Sequence, residues 1–357
     1  MNILFITDLY PVKNTEPTTP RTLSDFVSEW KNQGHKVDII KPNFILNSFL
    51  RKKPFYKTGQ YEDVFNVNYW TPFWFNIKNK LKNLPKYDIV IAHMPSGILL
   101  ADKLGLPFVA GIHVSDIEIL TNPIYKIHFK KRLEKALKNA KAIACRSFVL
   151  KDKLLKLYPE FKEKTFVAPS GIDEKIIKSK ESFYKNFNSP IKVLTCAHFK
   201  KRKNIDKVIN ACKDVKSCEL TVIGDGKERK SLEKIDKNVI FTGRLPHDEV
   251  LAKMCDSDIF VLPSVGETFG MVYLEAMASG CITVCTKGDG IDGIIKNGEN
   301  GFLVAPNPNN VKDTLLNIKN LSAEELKSLH TNSFNTIKEY TSSLCADRYL
   351  QQILKIL

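Results

Sequence analysis

No apolar run in this 357-residue chain approaches the roughly 18 residues needed to cross a bilayer, so no transmembrane helix is expected. No basic leader precedes the first apolar run either. Met1-Asn2-Ile3-Leu4-Phe5-Ile6-Thr7-Asp8 reads as a strand rather than a signal peptide. The eight cysteines include no C-x2-C pair, which argues against a zinc site or a disulfide framework and for a reduced, cytoplasmic protein. Cys281 and Cys285 instead bracket one strand, the usual setting of buried thiols. Short-period repeats and low-complexity tracts are also missing, which sets solenoids aside. Acid is scarce in the first half: residues 1–185 hold 31 of the 54 Lys+Arg but 18 of the 39 Asp+Glu, placing +13 of the net +15 there. That half is expected to meet an anionic surface, whether membrane phospholipid, a phosphorylated acceptor or nucleic acid. No recognised nucleic-acid-binding module accompanies the charge, so nucleic acid is the weakest of the three.

What is present is ordinary for a globular protein, 43% apolar and 26% charged, with length enough for two cores. Short apolar strands alternate with helical stretches throughout. In the first half, strands are expected at Ile3–Ile6, Lys36–Ile40, Asp88–Ala92, Phe108–Ile112 and Ala142–Ala144. Helices are expected near Arg21–Gln33, Ile127–Lys138 and Ser147–Lys156. A polar stretch, Lys175–Pro190, reads as a linker. Strands then recur at Ile191–Cys196, Glu219–Ile223, Val239–Thr242, Asp258–Leu262 and Ile282–Cys285, and Leu344–Leu357 reads as a final helix. Such alternation predicts an α/β fold of two Rossmann-like, doubly wound domains, over 1–185 and 186–343.

The most informative stretch runs from Pro263 to Gly280. The strand Ile259–Leu262 is followed by a Gly-containing turn, a helix from about Gly270 to Ser279, and a second strand. Glu267 stands at the helix entrance and Glu275 about two turns inside. The helix N-terminus offers unpaired N–H groups and a positive dipole end, suited to an anion such as a diphosphate. Glu267 can reach a ligand in front of the helix, and Glu275 a diol beside the phosphates. Taken alone, the same two acids also fit a capping residue and a solvent-facing one.

Glu267 and Glu275 in E-x7-E spacing, with Phe269-Gly270 and Glu275-Ala276-Met277-Ala278-x-Gly280, resemble the nucleotide-sugar motif of family-4 glycosyltransferases, retaining enzymes of the two-Rossmann GT-B architecture. Other segments resemble family signatures in the expected order: Gly34-His35-Lys36-Val37, Ile112-His113-Val114-Ser115-Asp116, Pro169-Ser170-Gly171-Ile172-Asp173, Lys203-Asn204-Ile205-Asp206, Ile223-Gly224-Asp225-Gly226 and Phe241-Thr242-Gly243-Arg244-Leu245. The resemblance implies a nucleotide-sugar donor held mainly by the second domain, an acceptor on the first, and an interdomain cleft. It also implies that the C-terminal helix crosses back onto the first domain. Catalytic roles fall on His113, Glu267 and Lys203. His113 contacts the sugar, Glu267 positions it through its hydroxyls, and Lys203 sets a point charge on the diphosphate. Substrate contacts fall on Asp116, His198, Arg202, Leu245, Phe269, Gly270, Met271, Val272 and Glu275. No metal or other cofactor is implied. His93 also ends a strand and is read as structural.

Two departures stand out. Where the family presents Gly-Arg-Leu after the second domain's first strand, this chain has Ala197-His198-Phe199, so either His198 or Arg202 is expected to replace the diphosphate arginine. In the first loop, Thr18-Thr19-Pro20-Arg21-Thr22 stands in place of paired glycines, and Arg21 is expected to face acceptor phosphate. The stretch 50–86 combines Arg51-Lys52-Lys53, Tyr69-Trp70-Thr71-Pro72-Phe73-Trp74-Phe75 and Lys78, Lys80, Lys82 and Lys86, a composition suited to peripheral contact with an anionic membrane or to a loop packed on the domain. The expected activity is transfer of a hexosyl or N-acetylhexosaminyl group from a UDP- or GDP-linked donor to a glycan or lipid-linked acceptor. The alternatives are a sugar-nucleotide epimerase or hydrolase of the same fold, and a non-catalytic sugar-nucleotide-binding protein.

Overall fold

Strands buried on both faces need a helix layer on each side, and that requirement shapes both halves of the chain. The computed structural model describes residues 1–12, 22–44, 56–69, 81, 84–125, 129–177, 184, 187 and 189–356. These form two compact units. One comprises Met1–Arg146, Leu150–Ser170 and Ser342–Leu357, the other Ser147–Val149 and Gly171–Thr341. The second unit begins ahead of the expected boundary at 185. Ile172 already belongs to it, buried and donating its N–H to Tyr340 O at 2.9 Å. Arg21, Arg51–Lys53, Trp70–Phe75, Lys78, Lys80 and Lys82 lie outside the described residues, as does most of the expected linker.

In the first unit the strands are β1 (Asn2–Ile6), β2 (Lys36–Phe44), β3 (Gly59–Tyr61), β4 (Val64–Tyr69), β5 (Ile89–His93), β6 (Val109–Ile112), β7 (Ala142–Cys145) and β8 (Thr165–Val167). The sheet runs β3-β4-β2-β1-β5-β6-β7-β8, parallel except for the β3–β4 hairpin. The interior strands β5, β6 and β7 are buried at every residue, as near-continuous apolar runs predict. The flanking helices are α1 (Thr22–Asn32), α2 (Met94–Leu104), α3 (Val114–Thr121), α4 (Lys131–Asn139), α5 (Phe148–Leu157, whose first turn is assigned to the second unit) and, from the far end of the chain, α12 (Ser342–Ile356). Helix α4 follows a helical turn at Phe129 and Lys130, and Ile127 lies outside the described residues. Its Lys131, Lys135 and Lys138 are exposed while Leu133, Ala136 and Leu137 enter the core. Trp30 of α1 ties α12 down, its indole N–H donating to Ala346 O at 3.0 Å.

The second unit holds β9 (Ile191–Cys196), β10 (Cys218–Ile223), β11 (Ile240–Gly243), β12 (Ile259–Leu262), β13 (Ile282–Thr286) and β14 (Phe302–Val304). Its helices are α6 (Ile205–Lys213), α7 (Arg229–Leu232), α8 (His247–Cys255), α9 (Met271–Ala278), α10 (Pro308–Lys319) and α11 (Ala323–Lys338). The sheet is wholly parallel in the order β11-β10-β9-β12-β13-β14. Chain direction across this sheet reverses between β9 and β12. That is the topological switch point, where the loops after the two strands diverge and leave room for a ligand.

Candidate active site

The loops leaving β9 and β12 are stitched together at the switch point. Val265 N–H donates to Arg202 O at 2.8 Å, and Asn204 Nδ2 donates to Pro263 O at 2.7 Å. Glu267 is the centre of this join. Its Oε1 accepts from Lys203 Nζ at 2.5 Å, from Arg202 Nη1 at 2.9 Å and from the Ser264 hydroxyl. Its Oε2 accepts nothing among the described residues. Burial pushes this carboxyl up, but Lys203, Ser264 and Arg202 outweigh it and hold the pKa below the usual range. Asp289 fixes the backbone beneath, its two oxygens accepting from Gly266 N and Glu267 N at 2.7 Å each. Arg202 also donates to the carbonyls of Val265 and Gly266, whereas His198 on the same loop is exposed.

Helix α9 starts directly after Glu267. Gly270 is its N-cap at φ 95°, a left-handed conformation that glycine adopts freely. A Cβ there would also stand 2.4 Å from the Tyr273 ring, which is anchored by its hydroxyl to Leu262 O at 2.8 Å. The amides of Met271 and Val272 head the first turn, where a helix has no acceptor of its own. Glu275, about one turn in, is half-buried and shares Oε1 with His247 Nε2 at 3.0 Å. Leu245, half-buried, follows Gly243 and packs on the same core. Phe269, expected as a substrate contact, has its side chain 4% exposed within the apolar cluster.

In the first unit His113 closes β6 and is the N-cap of α3. Asp116, expected as a substrate contact, stands at the start of the same helix. It has no exposed surface, and its Oδ2 accepts from His113 N–H at 2.8 Å as a helix-start bond. Its Oδ1 has no partner among the described residues, and burial raises the carboxyl to about 8. The His113 ring meets His93, with Nε2 lying 3.0 Å from His93 Nδ1, and His93 Nε2 lies 2.9 Å from Tyr349 OH on α12. Burial, with help from Arg146, lowers His113 to about 3 and His93 well below its ordinary value, so both rings are neutral. Arg146 itself is buried over the Phe26 ring and donates to Ala168 O and the Ser170 hydroxyl.

The residues expected to act on the donor thus gather in one place within the second unit: Lys203, Arg202, Glu267, Gly270, Met271, Val272 and Glu275. Tyr349, His247 and Asp289 escaped the sequence reading. Tyr349 and His247 sit in no motif, and Asp289 acts only on main-chain amides. Among the described residues no group of three or more His, Cys, Asp or Glu is placed to hold a metal ion, and no helix is long and apolar enough to cross a membrane.

Two family models match the chain: "Glycosyltransferase Family 4" over residues 20–175 and "Glycosyl transferases group 1" over residues 177–336. An uncharacterized glycosyltransferase of Methanocaldococcus jannaschii is 32% identical over 256 residues, covering 70% of this chain and 68% of that protein. A lipopolysaccharide core biosynthesis glycosyltransferase of Rhizobium meliloti is 31% identical over 116 residues, 31% of this chain and 34% of its own. The solved structure of Anabaena HepE in complex with UDP superposes with a TM-score of 0.73 at 16% identity, over 99% of this chain and 100% of that one. The two parallel-sheet units are those of the GT-B architecture.

Proposed function

Because the chain belongs to the family-4 glycosyltransferases, we propose that it moves a sugar, with retention of anomeric configuration, from a UDP- or GDP-linked donor to a glycan or lipid-linked acceptor. The observation that carries this reading is the state of Glu267. One carboxylate oxygen is saturated by Lys203, Arg202 and Ser264 while the other remains open beside a helix N-terminus. Such a carboxylate is a weak base in a fixed position, suited to accept hydrogen bonds from sugar hydroxyls rather than to form a covalent bond to the sugar. Lys203, Arg202 and the amides of Met271 and Val272 supply the positive field in which a leaving diphosphate accumulates charge, so no metal enters the scheme. Glu275, through Oε2, takes the ribose hydroxyls. His113 contacts the donor sugar, as the family resemblance assigns it. His198 stands ready at the second domain's first loop as a further diphosphate contact.

The Anabaena protein was solved with UDP and with UDP-glucose, and the Rhizobium relative belongs to lipopolysaccharide core synthesis. The first supports a uridine diphosphate sugar and the second a cell-surface glycan or its lipid-linked precursor; the excess positive charge of the first half would hold that unit peripherally at an anionic membrane face. The test is a panel of UDP- and GDP-sugars incubated with the protein, first alone and then with lipid-linked acceptors. Release of nucleoside diphosphate only when acceptor is present is the expected result. Acceptor-independent epimerisation or hydrolysis, or binding without turnover, would overturn the transferase reading.

A further inference from the structure

The buried contact between His113, His93 and Tyr349 is absorbed by no step above. The three residues are 6%, 0% and 1% exposed and come from the β6–α3 junction, β5 and α12. Two hydrogen bonds of 3.0 and 2.9 Å link them in series. A neutral imidazole carries one donor and one acceptor. In this series His93 must therefore donate on one side and accept on the other, so its tautomer is tied both to that of His113 and to the direction of the phenol hydrogen bond.

The surrounding residues are shaped for this arrangement. Gly111 pairs in register with His93, and a Cβ at Gly111 would fall 2.1 Å from His93 Nδ1. Any other residue would push the imidazole off His113. On the opposite side the Tyr349 ring is held edge-on by Phe26, Trp30 and Phe166 at 5.4, 5.6 and 5.8 Å between centroids, while Phe5 lies 5.4 Å from His93. The phenol cannot swing away without opening this aromatic box.

We infer that Tyr349, acting through His93, is a positioning residue that holds His113 in one tautomer and one ring orientation for the transfer reaction. The inference rests on the reading of His113 as a sugar contact. Its consequence is that the C-terminal helix belongs to the reaction machinery, although no motif marks it. Ring orientation matters because a donor or acceptor displaced by a fraction of an ångström loses most of its effect on a transition state.

Tyr349→Phe keeps the ring packing and removes only the hydroxyl. With imidazole 15N labelling, the wild-type protein is expected to show one protonated and one bare nitrogen at His93 and at His113. The variant should show averaged shifts, together with a roughly tenfold fall in kcat and an unchanged Kd for UDP. Unchanged ring nitrogen shifts in a folded Tyr349→Phe would overturn the inference. Shifts that average while kcat holds would retain the chain and instead overturn the role given to His113, so the two failures read separately. Should Tyr349→Phe not fold, the wild-type spectrum decides alone, since interconverting tautomers at either histidine refute the lock.

Discussion

Replacing Glu267 by glutamine separates charge from shape at the join between the two loops. The amide keeps an acceptor for Lys203, Arg202 and Ser264, but the hydrogen bonds lose one of their two charges. Bonds to charged groups contribute about 1.5–3 kcal/mol and neutral ones about 0.5–1.5. Lys203 and Glu267 are each only 14% exposed, so solvent screening is incomplete, while Arg202 is far more open. A net loss of about 1–3 kcal/mol follows, or roughly 2–12 °C in Tm for a unit of this size. The loss should depend on pH in a defined direction. Because the folded carboxyl titrates below its unfolded value, its stabilisation is complete above the ordinary glutamate range and vanishes as pH falls through the lower folded value. Wild type and variant should therefore begin to converge below about pH 4.5 and meet once pH lies under the lower folded value. Turnover should fall about 10²–10³-fold, the scale of removing one preorganised contact to a transition state. UDP affinity, measured by calorimetry, should hold or tighten, since Lys203 and Arg202 lose a competitor. Near-wild-type kcat, or a folded variant that no longer binds UDP, would refute the assignment.

Glu275→Gln should weaken UDP binding about tenfold through loss of charge-assisted bonds to the ribose, and calorimetry showing no change would move the ribose elsewhere. Asp116, raised to about 8 by burial, contributes stability that is full below about pH 4 and is lost as pH climbs to about 8, by up to about 1.4 kcal/mol per unit. Asp116→Asn should flatten that decline in thermal melts between pH 5 and 8.5, and parallel curves for the two proteins would contradict the burial argument. Gly270→Ala should cost about 1–3 kcal/mol, because alanine disfavours φ 95° and its Cβ meets a ring that cannot retreat. An unchanged Tm there would show that the helix start is not constrained as described.

The donor half of the site was legible because its chemistry is local. A buried strand, one glycine turn and a short helix keep Glu267, Gly270 and Glu275 within a few residues, and α9 occupies Met271–Ala278 within the span expected from sequence. Lys203 could be read only with the family motif, since its partner Glu267 is 64 residues away. The chain linking His93 to Tyr349 spans 256 residues and leaves no periodicity behind. Strands β3, β8 and β14 escape the sequence because three-residue runs carry too little pattern to separate from loops, and β4 escapes it because asparagines interrupt its apolar run. Strand β2 was cut short at Ile40, because Lys41-Pro42-Asn43 interrupts its apolar run although β4 pairs with it through to Phe44.

The closing helix of the first unit also orders events in time. Every residue of α12 is synthesised after the whole of the second unit, yet the Trp30 indole N–H finds its acceptor, and the face shared by Phe26, Trp30 and Phe166 its covering Tyr349 ring, only when α12 arrives. On the ribosome the first sheet must therefore wait, with Phe26, Trp30 and Phe166 uncovered, while the second unit is free to fold. Truncation ahead of Ser342 would leave that aromatic face permanently open and prone to aggregation. A nascent chain stalled at that point is the species for chaperones to hold.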